Sequence, residues 1–187
     1  MYLCAIVASG FIYAGLLTYL SSSSFIYISM LGVPVQYFGL IFLTSVVGYM
    51  AGSGLSARLS RSHESEFIVL WGAVLAAVST GSMWVGASLL PQSITVLVLP
   101  MTIYSTGMGL VLPNTMAVAL RPYADIAGTA SALLGFVQMG LSGIATALVG
   151  AYLVDSPAPM LDFMLLISVI ALVLSVILHG GRPRTGH

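Results

Sequence analysis

Charge is what this chain has least of. Only 5% of its 187 residues are charged, and lysine is absent. A soluble domain carries about 25% charged residues, so this chain cannot clothe a water-facing surface. Its net charge is zero, which removes the electrostatic basis for nucleic-acid binding. The one cysteine, Cys4, allows no internal disulfide, and nothing near it suggests a metal site. The three histidines, His63, His179 and His187, fall in a loop, at a helix end and at the terminus. With no HExxH and no membrane-embedded carboxylate pair, no enzymatic activity, metal or cofactor is expected. The apolar runs are continuous rather than alternating, which excludes a β-barrel. The first residues lack the basic region and cleavage pattern of a secretory signal peptide.

What the chain has in abundance is uninterrupted apolar sequence. It is 59% hydrophobic, with a mean hydropathy of +1.09. Met1 to Ala57 and Phe67 to Leu120 contain no charge. A span of the hydrocarbon needs roughly 20 apolar residues, so each block holds two helices and a hidden loop. Ser21-Ser22-Ser23-Ser24 followed by Gly32-Val33-Pro34 supplies turn chemistry in the first block, and Pro91-Gln92-Ser93 in the second. Ser24 to Met30 could instead prolong the first helix. Two further uncharged runs, Ile126 to Val154 and Phe163 to Leu178, are one helix each. The fold class expected is an all-α polytopic membrane protein. It has one six-helix transmembrane domain over 1–181, with spans at about 2–21, 36–57, 66–89, 95–120, 127–153 and 160–179, and a tail at 182–187.

Topology follows from arginine. Arg58 and Arg61, then Arg121, then Arg182 and Arg184 fall in loop 2–3, loop 4–5 and the tail, all on one side. The connection between spans five and six carries Asp155 and Asp162 instead. The positive-inside rule puts the arginine side, and both termini, in the cytoplasm. An even number of spans demands the same, so two separate readings agree. The compartment expected is a bacterial-type inner membrane.

Small and polar residues form stripes within the helices. Gly48, Gly52 and Ser56 recur every four residues in span two, the spacing that lets helix backbones approach closely. Gly128, Ser131, Gly135, Gln138, Ser142 and Thr146 run along span five, and Tyr104, Gly107, Val111, Asn114, Val118 and Arg121 along span four. Helix contact is one reading of each stripe; a face on a water-filled path is the other. The amides of Asn114 and Gln138 favour the path, because a buried amide without a partner is costly. Pro100 and Pro113, beside Gly107 and Gly109, mark span four as the most deformable. Tyr13, Tyr19, Tyr27 and Tyr104 are candidates for an aromatic cavity wall, whereas Tyr2, Tyr19, Tyr37 and Tyr152 suit interfacial anchors. Trp71 and Trp84 read as lipid-facing or anchoring. Arg121 and Asp125 stand at the polar hinge Arg121-Pro122-Tyr123-Ala124-Asp125, where they could pair as a gate; otherwise Arg121 sets topology and Asp125 caps span five. Arg58 and Arg61 are candidates for a gating loop on the same side, or simply for fixing topology.

Three segments carry a family resemblance. GLVLPNTMAVALRPYADIAGTASALLGFVQM, FIYISMLGVPVQYFGLIF and GLSARLSR, in their order and spacing, resemble the major facilitator superfamily, in particular its bicyclomycin/chloramphenicol-resistance branch of drug:proton antiporters. The resemblance implies two six-helix halves in a complete transporter, of which this chain looks like the C-terminal one, helices seven to twelve. It also implies that spans one and four line the cavity, and that the partners are a lipid bilayer, a small-molecule substrate, protons, and an N-terminal half or another copy of this chain. The five carboxylates, Glu64, Glu66, Asp125, Asp155 and Asp162, all lie outside mid-membrane, so this half holds no obvious proton carrier.

The function expected is the C-terminal half of a proton-coupled multidrug or small-molecule efflux transporter working by alternating access. Tyr13, Tyr104, Asn114 and Gln138 are the substrate-pathway candidates, and Arg58, Arg61, Arg121 and Asp125 the gating ones. The alternative is a truncated membrane remnant that does not transport, or a protein that packs against another membrane partner.

Overall fold

The computed structural model describes residues 2–90, 92–152 and 157–180. Pro91, Asp155, His187 and the basic tail with Arg182 and Arg184 lie outside the described residues. Six α-helices account for nearly everything else: α1 (Tyr2–Ser24), α2 (Val35–Leu59), α3 (Ser65–Leu89), α4 (Thr95–Leu120), α5 (Ala127–Tyr152) and α6 (Ala158–Gly180). A π-helical segment, Phe25–Met30, prolongs α1, and a 3-10 turn, Arg121–Ile126, joins α4 to α5. The shortest of the six has 23 residues, about 35 Å at 1.5 Å per residue, enough to cross a hydrocarbon core of about 30 Å. All six are apolar enough to do so. The chain is thus the six-helix membrane protein its composition implies.

One turn assignment is corrected. Ser21 to Ser24 do not break the first helix; they are its last turn. Serine favours turns because its hydroxyl competes for backbone groups, and here that bond is made inside the helix. Ser21 Oγ donates to the Leu17 carbonyl at 3.1 Å and Ser23 Oγ to that of Leu20 at 2.8 Å. The chain reverses only at Gly32, whose φ of +66° suits glycine.

The packing has a hidden regularity. α1 and α4 touch each other at the centre; α3 packs on α4 and α6 on α1; α2 packs on α4 and α5 on α1; and α3 meets α6. Exchanging each helix for the one three places along leaves this set of pairings unchanged. No residue-level repeat announces that symmetry, yet the two three-helix units pack as equivalents. The consequence is positional. α3 and α6 close one side of the central pair, whereas α2 and α5 do not pack on each other. The other side is therefore a groove, with α1 and α4 at its floor and α2 and α5 as walls.

The central helices carry the core. Over half of the apolar stretches of α1 and α4 is buried (56% each), against 17% in α2 and 22% in α5. Glycine sets how close the helices come. A Cβ on Gly48 or Gly52 would overlap the carbonyls of Thr102 or Thr106 on α4, and one on Gly109 would strike the α2 backbone at Tyr49 and Ser53. Gly72 on α3 and Gly107 on α4 meet in the same way. The stripe of Gly48, Gly52 and Ser56 is therefore the close-approach face its spacing predicts. Gly107 and Gly109, expected to loosen α4, instead let its neighbours sit against its backbone.

Candidate functional site

The groove is the place where this bundle can receive something. Its floor and one wall enclose an apolar pocket of about 160 Å³, lined by Leu16 and Leu20 of α1, Phe42, Ser45, Val46 and Tyr49 of α2, and Ser105 and Met108 of α4. Its two hydroxyl-bearing serines do not make it polar. Ser45 is buried, and Ser105 Oγ donates to Met101 of its own helix at 2.9 Å. Such a surface offers van der Waals contact and no ionic or directional bond, so it suits an apolar moiety.

The candidates named from sequence divide between the groove and the contacts behind it. On α1, Ser9, Tyr13, Leu16 and Leu20 are spaced 4, 3 and 4 and so share one face. Tyr13 is half-buried on that face. Gln138 of α5 is also half-buried, and its Nε2 donates to Ser9 Oγ across 3.3 Å, joining one wall to the floor. Tyr104 is fully buried and donates from its hydroxyl to the Ile12 carbonyl of α1 at 2.7 Å, opposite Gly15. It fastens the two central helices together. Asn114 is 3% exposed. Its Nδ2 donates to Ser56 Oγ at 2.5 Å and to the Leu110 carbonyl at 2.8 Å, and its Oδ1 accepts from Ser60 Oγ at 3.3 Å. An amide that is costly to bury alone is here partnered on both ends, clasping α4 to α2.

The stripe Tyr104, Gly107, Val111, Asn114 therefore faces neighbouring helices. The α4 residues that line the pocket, Ser105 and Met108, are each displaced by one position, which is 100° around a helix. Leu16, Leu20, Phe42 and Val46 carried no signal in the sequence, because such residues are ordinary in any membrane span. Tyr49 differs from its aliphatic neighbours only by its ring and hydroxyl.

Two other expectations are corrected. Tyr19, suited to an interfacial anchor, is 3% exposed; its hydroxyl lies 2.8 Å from that of Tyr27, itself 1% exposed. Asp162, expected in the connection before α6, stands within α6 and accepts a 2.8 Å bond from Trp84 Nε1. Trp71 is exposed, as a lipid-facing residue should be. On the arginine side, Arg58 closes the last turn of α2 and Arg61 follows in the turn, both exposed. Arg121 and Asp125 are both exposed on the 3-10 turn, whose helical path breaks at Tyr123 (φ −124°, ψ 34°). Among the described residues no group of three or more His, Cys, Asp and Glu side chains could hold a metal ion.

No protein-family model matches the chain. Individual relatives do. A bicyclomycin resistance protein homolog of Haemophilus influenzae is 30% identical over 168 residues, covering 88% of this chain and 42% of the relative. An uncharacterized MFS-type transporter of Bacillus subtilis, YdgK, is 30% identical over 142 residues, 75% of this chain and 35% of its own length. The multidrug resistance protein D of Escherichia coli is 23% identical over 136 residues, 72% of this chain and 34% of its own. The chain thus spans about two fifths or less of the curated relatives it matches. These relatives bear out the family resemblance: the chain is a homologue of the MFS-type transporters, the major facilitator superfamily.

Proposed function

We propose that the chain is the C-terminal six-helix half of a proton-coupled efflux transporter for small apolar molecules. It works by alternating access against an N-terminal half. The observation that carries this reading is the groove. α2 and α5 stand apart over the central pair, and the floor holds an apolar pocket between α1, α2 and α4. A second half seated over the groove would turn it into a closed path, with the solute held between the halves. The lengths agree with this, since the relatives leave room for a further body of similar size. Another copy of this chain is the other partner that would complete the path.

In this reading Tyr13 and Gln138 meet the solute or its water, Phe42 and Tyr49 grip its apolar part, and Tyr104 and Asn114 act from behind by holding the floor and wall in place. Arg58, Arg61, Arg121 and Asp125 lie at the cytoplasmic rim, where they contact the other half as it rocks. No described carboxylate stands at mid-membrane in this half, so the proton is carried by the other. The arginine pattern supports cytoplasmic termini, and the likeness to bacterial transporters supports a bacterial inner membrane.

The test is Gln138→Leu in the complete transporter. Efflux of an apolar dye falls while membrane abundance stays constant. Unchanged efflux removes Gln138 from the pathway. Loss of efflux on Phe42→Ala and Tyr49→Ala together, again at constant abundance, places the solute in the pocket. If the complete assembly transports nothing, the reading as a non-transporting remnant or membrane-partner protein takes its place.

A further inference from the structure

The end of the bundle away from Arg58 and Arg61 carries one described carboxylate, Asp162. It stands on α6 beyond the first turn, so the positive end of that helix is not what fixes it. The carboxylate is exposed and accepts a bond from Trp84 Nε1 of α3 at 2.8 Å. α3 and α6 close the side of the central pair away from the groove, so this pair lies on the opposite flank from the apolar pocket. At 1.5 Å per residue, Asp162 is about 6 Å from the start of α6 and Trp84 about 7.5 Å from the end of α3. In spans of this length that depth is close to the boundary between headgroups and hydrocarbon. A carboxylate there is costly unless its charge is answered, and one indole N–H occupies only one of its roughly four acceptor sites. The chain answers with no cation of its own. It has no lysine, and every described arginine and histidine stands at the other end of the bundle.

Beside the pair, Trp84, Ala87 and Ser88 of α3 and Ala158, Leu161 and Asp162 of α6 line an open cleft of about 370 Å³. Ser88 Oγ donates to the Trp84 carbonyl at 2.9 Å, so the hydroxyl has only acceptor capacity left for a guest. The indole N–H is likewise committed to Asp162. The cleft therefore offers acceptors, one negative charge and apolar walls. That set suits a group that brings N–H donors and a positive charge on a short carbon stem.

We propose that this cleft binds the ammonium headgroup of an ethanolamine phospholipid, with the –NH₃⁺ seated on the Asp162 carboxylate. The Trp84 ring adds attraction for a cation held beside it. The occupant is a lipid rather than a soluble amine because the cleft opens at headgroup depth on the flank of the bundle. The bound headgroup supplies the charge the chain lacks and ties α3 to α6 at this end. The proposal rests on the six membrane spans and not on the transport reading.

The experiment is native mass spectrometry of the protein as the cell makes it, released from vesicles holding equal parts of phosphatidylethanolamine, phosphatidylglycerol and phosphatidylcholine. The unaltered protein retains phosphatidylethanolamine over the other two. In Asp162→Asn, whose amide oxygen still accepts the indole bond, that retention falls about fivefold, the upper worth of a solvent-exposed ion pair. Asp162→Glu keeps it, and so does Asp125→Asn at the other end of the bundle. Ala158→Leu fills the cleft without touching the pair and lowers retention as Asp162→Asn does. No preference among the three lipids overturns the proposal, as does a preference that survives either Asp162→Asn or Ala158→Leu. Displacement of the retained lipid by millimolar free ethanolamine would give the site to soluble amines and overturn the lipid as its occupant.

Discussion

α2 and α5 occupy equivalent places, each a wall of the groove packed on one central helix, and they are built in opposite ways. α2 turns two of its four glycines inward, while Gly39 and Gly54 meet nothing within 4 Å. Gly48 and Gly52 sit against the α4 backbone, and Asn114 bonds Ser56 at the arginine-bearing end of the same seam. α5 leaves its glycines uncovered: nothing lies within 4 Å of where a Cβ would be on Gly128, Gly135, Gly140, Gly143 or Gly150. Its own amide clasp, Gln138 to Ser9, is longer and half-exposed. The symmetry of the packing thus hides an asymmetry of attachment. One wall is fixed to the floor by backbone contact, which cannot slide without a clash. The other is held by side chains, which can.

The largest test of that difference exchanges one hydrogen for a methyl on each wall. In Gly52→Ala the new Cβ overlaps the Thr106 carbonyl, and backbone cannot yield as a side-chain tip does. Overpacking of this kind costs about 3 kcal/mol. Thermal unfolding in mild detergent should show a clear fall in the midpoint, and membrane abundance should drop with it. Gly143→Ala meets open space, and alanine gains about 0.8 kcal/mol of helix propensity over glycine, so its midpoint should hold or rise. Equal losses from the two substitutions would mean that the walls are attached alike. A loss from Gly143→Ala only within a complete transporter would show that another protein surface closes on α5.

Asn114→Ala is expected to come next. It removes the α4–α2 clasp and takes from Ser56 Oγ its donor, while Ser60 Oγ keeps its 2.8 Å bond to the Ser56 carbonyl. Interhelical polar pairs in membranes measure about 0.6 kcal/mol and at most about 1.7, and burial puts this pair toward the upper end. A double-mutant cycle with Ser56→Ala isolates the coupling. Zero coupling would leave the glycine seam alone as what fixes α2.

Much of this was legible in the sequence, for reasons that differ by residue. Six spans and the arginine side followed from charge, because lipid forbids charge inside a span wherever the helices pack. The α2 seam was legible because Gly48, Gly52 and Ser56 repeat at a spacing with one physical use. The direction of a polar stripe was not legible. Asn114 and Tyr104 look the same in sequence whether they face a solute path or a neighbouring helix, and a rotation of one residue decides between them. Ser21 to Ser24 misled because serine bonds the backbone as readily within a helix end as in a turn. The pseudo-twofold packing left no trace because two three-helix units need to match in shape alone, and many apolar sequences supply the same shape.

The smallest expected effect is on the side-chain wall. Gln138→Ala removes a 3.3 Å bond from a half-exposed amide, which water or headgroups can satisfy in part, so the loss of stability should stay under about 0.6 kcal/mol. Ser9→Ala should cost as little, since Ser9 Oγ keeps no other partner in need of it; its second bond, to the Ile6 carbonyl at 2.9 Å, is internal to α1. The coupling between the two should be smaller than that between Asn114 and Ser56 measured in the same detergent. The comparison rests on this ratio more than on either value, because both cycles share one unfolded reference. If the Gln138–Ser9 coupling equals or exceeds the Asn114–Ser56 coupling, α5 is bound as firmly as α2. Its bare glycines would then be idle surface, and the claim that one wall can slide while the other cannot would fall.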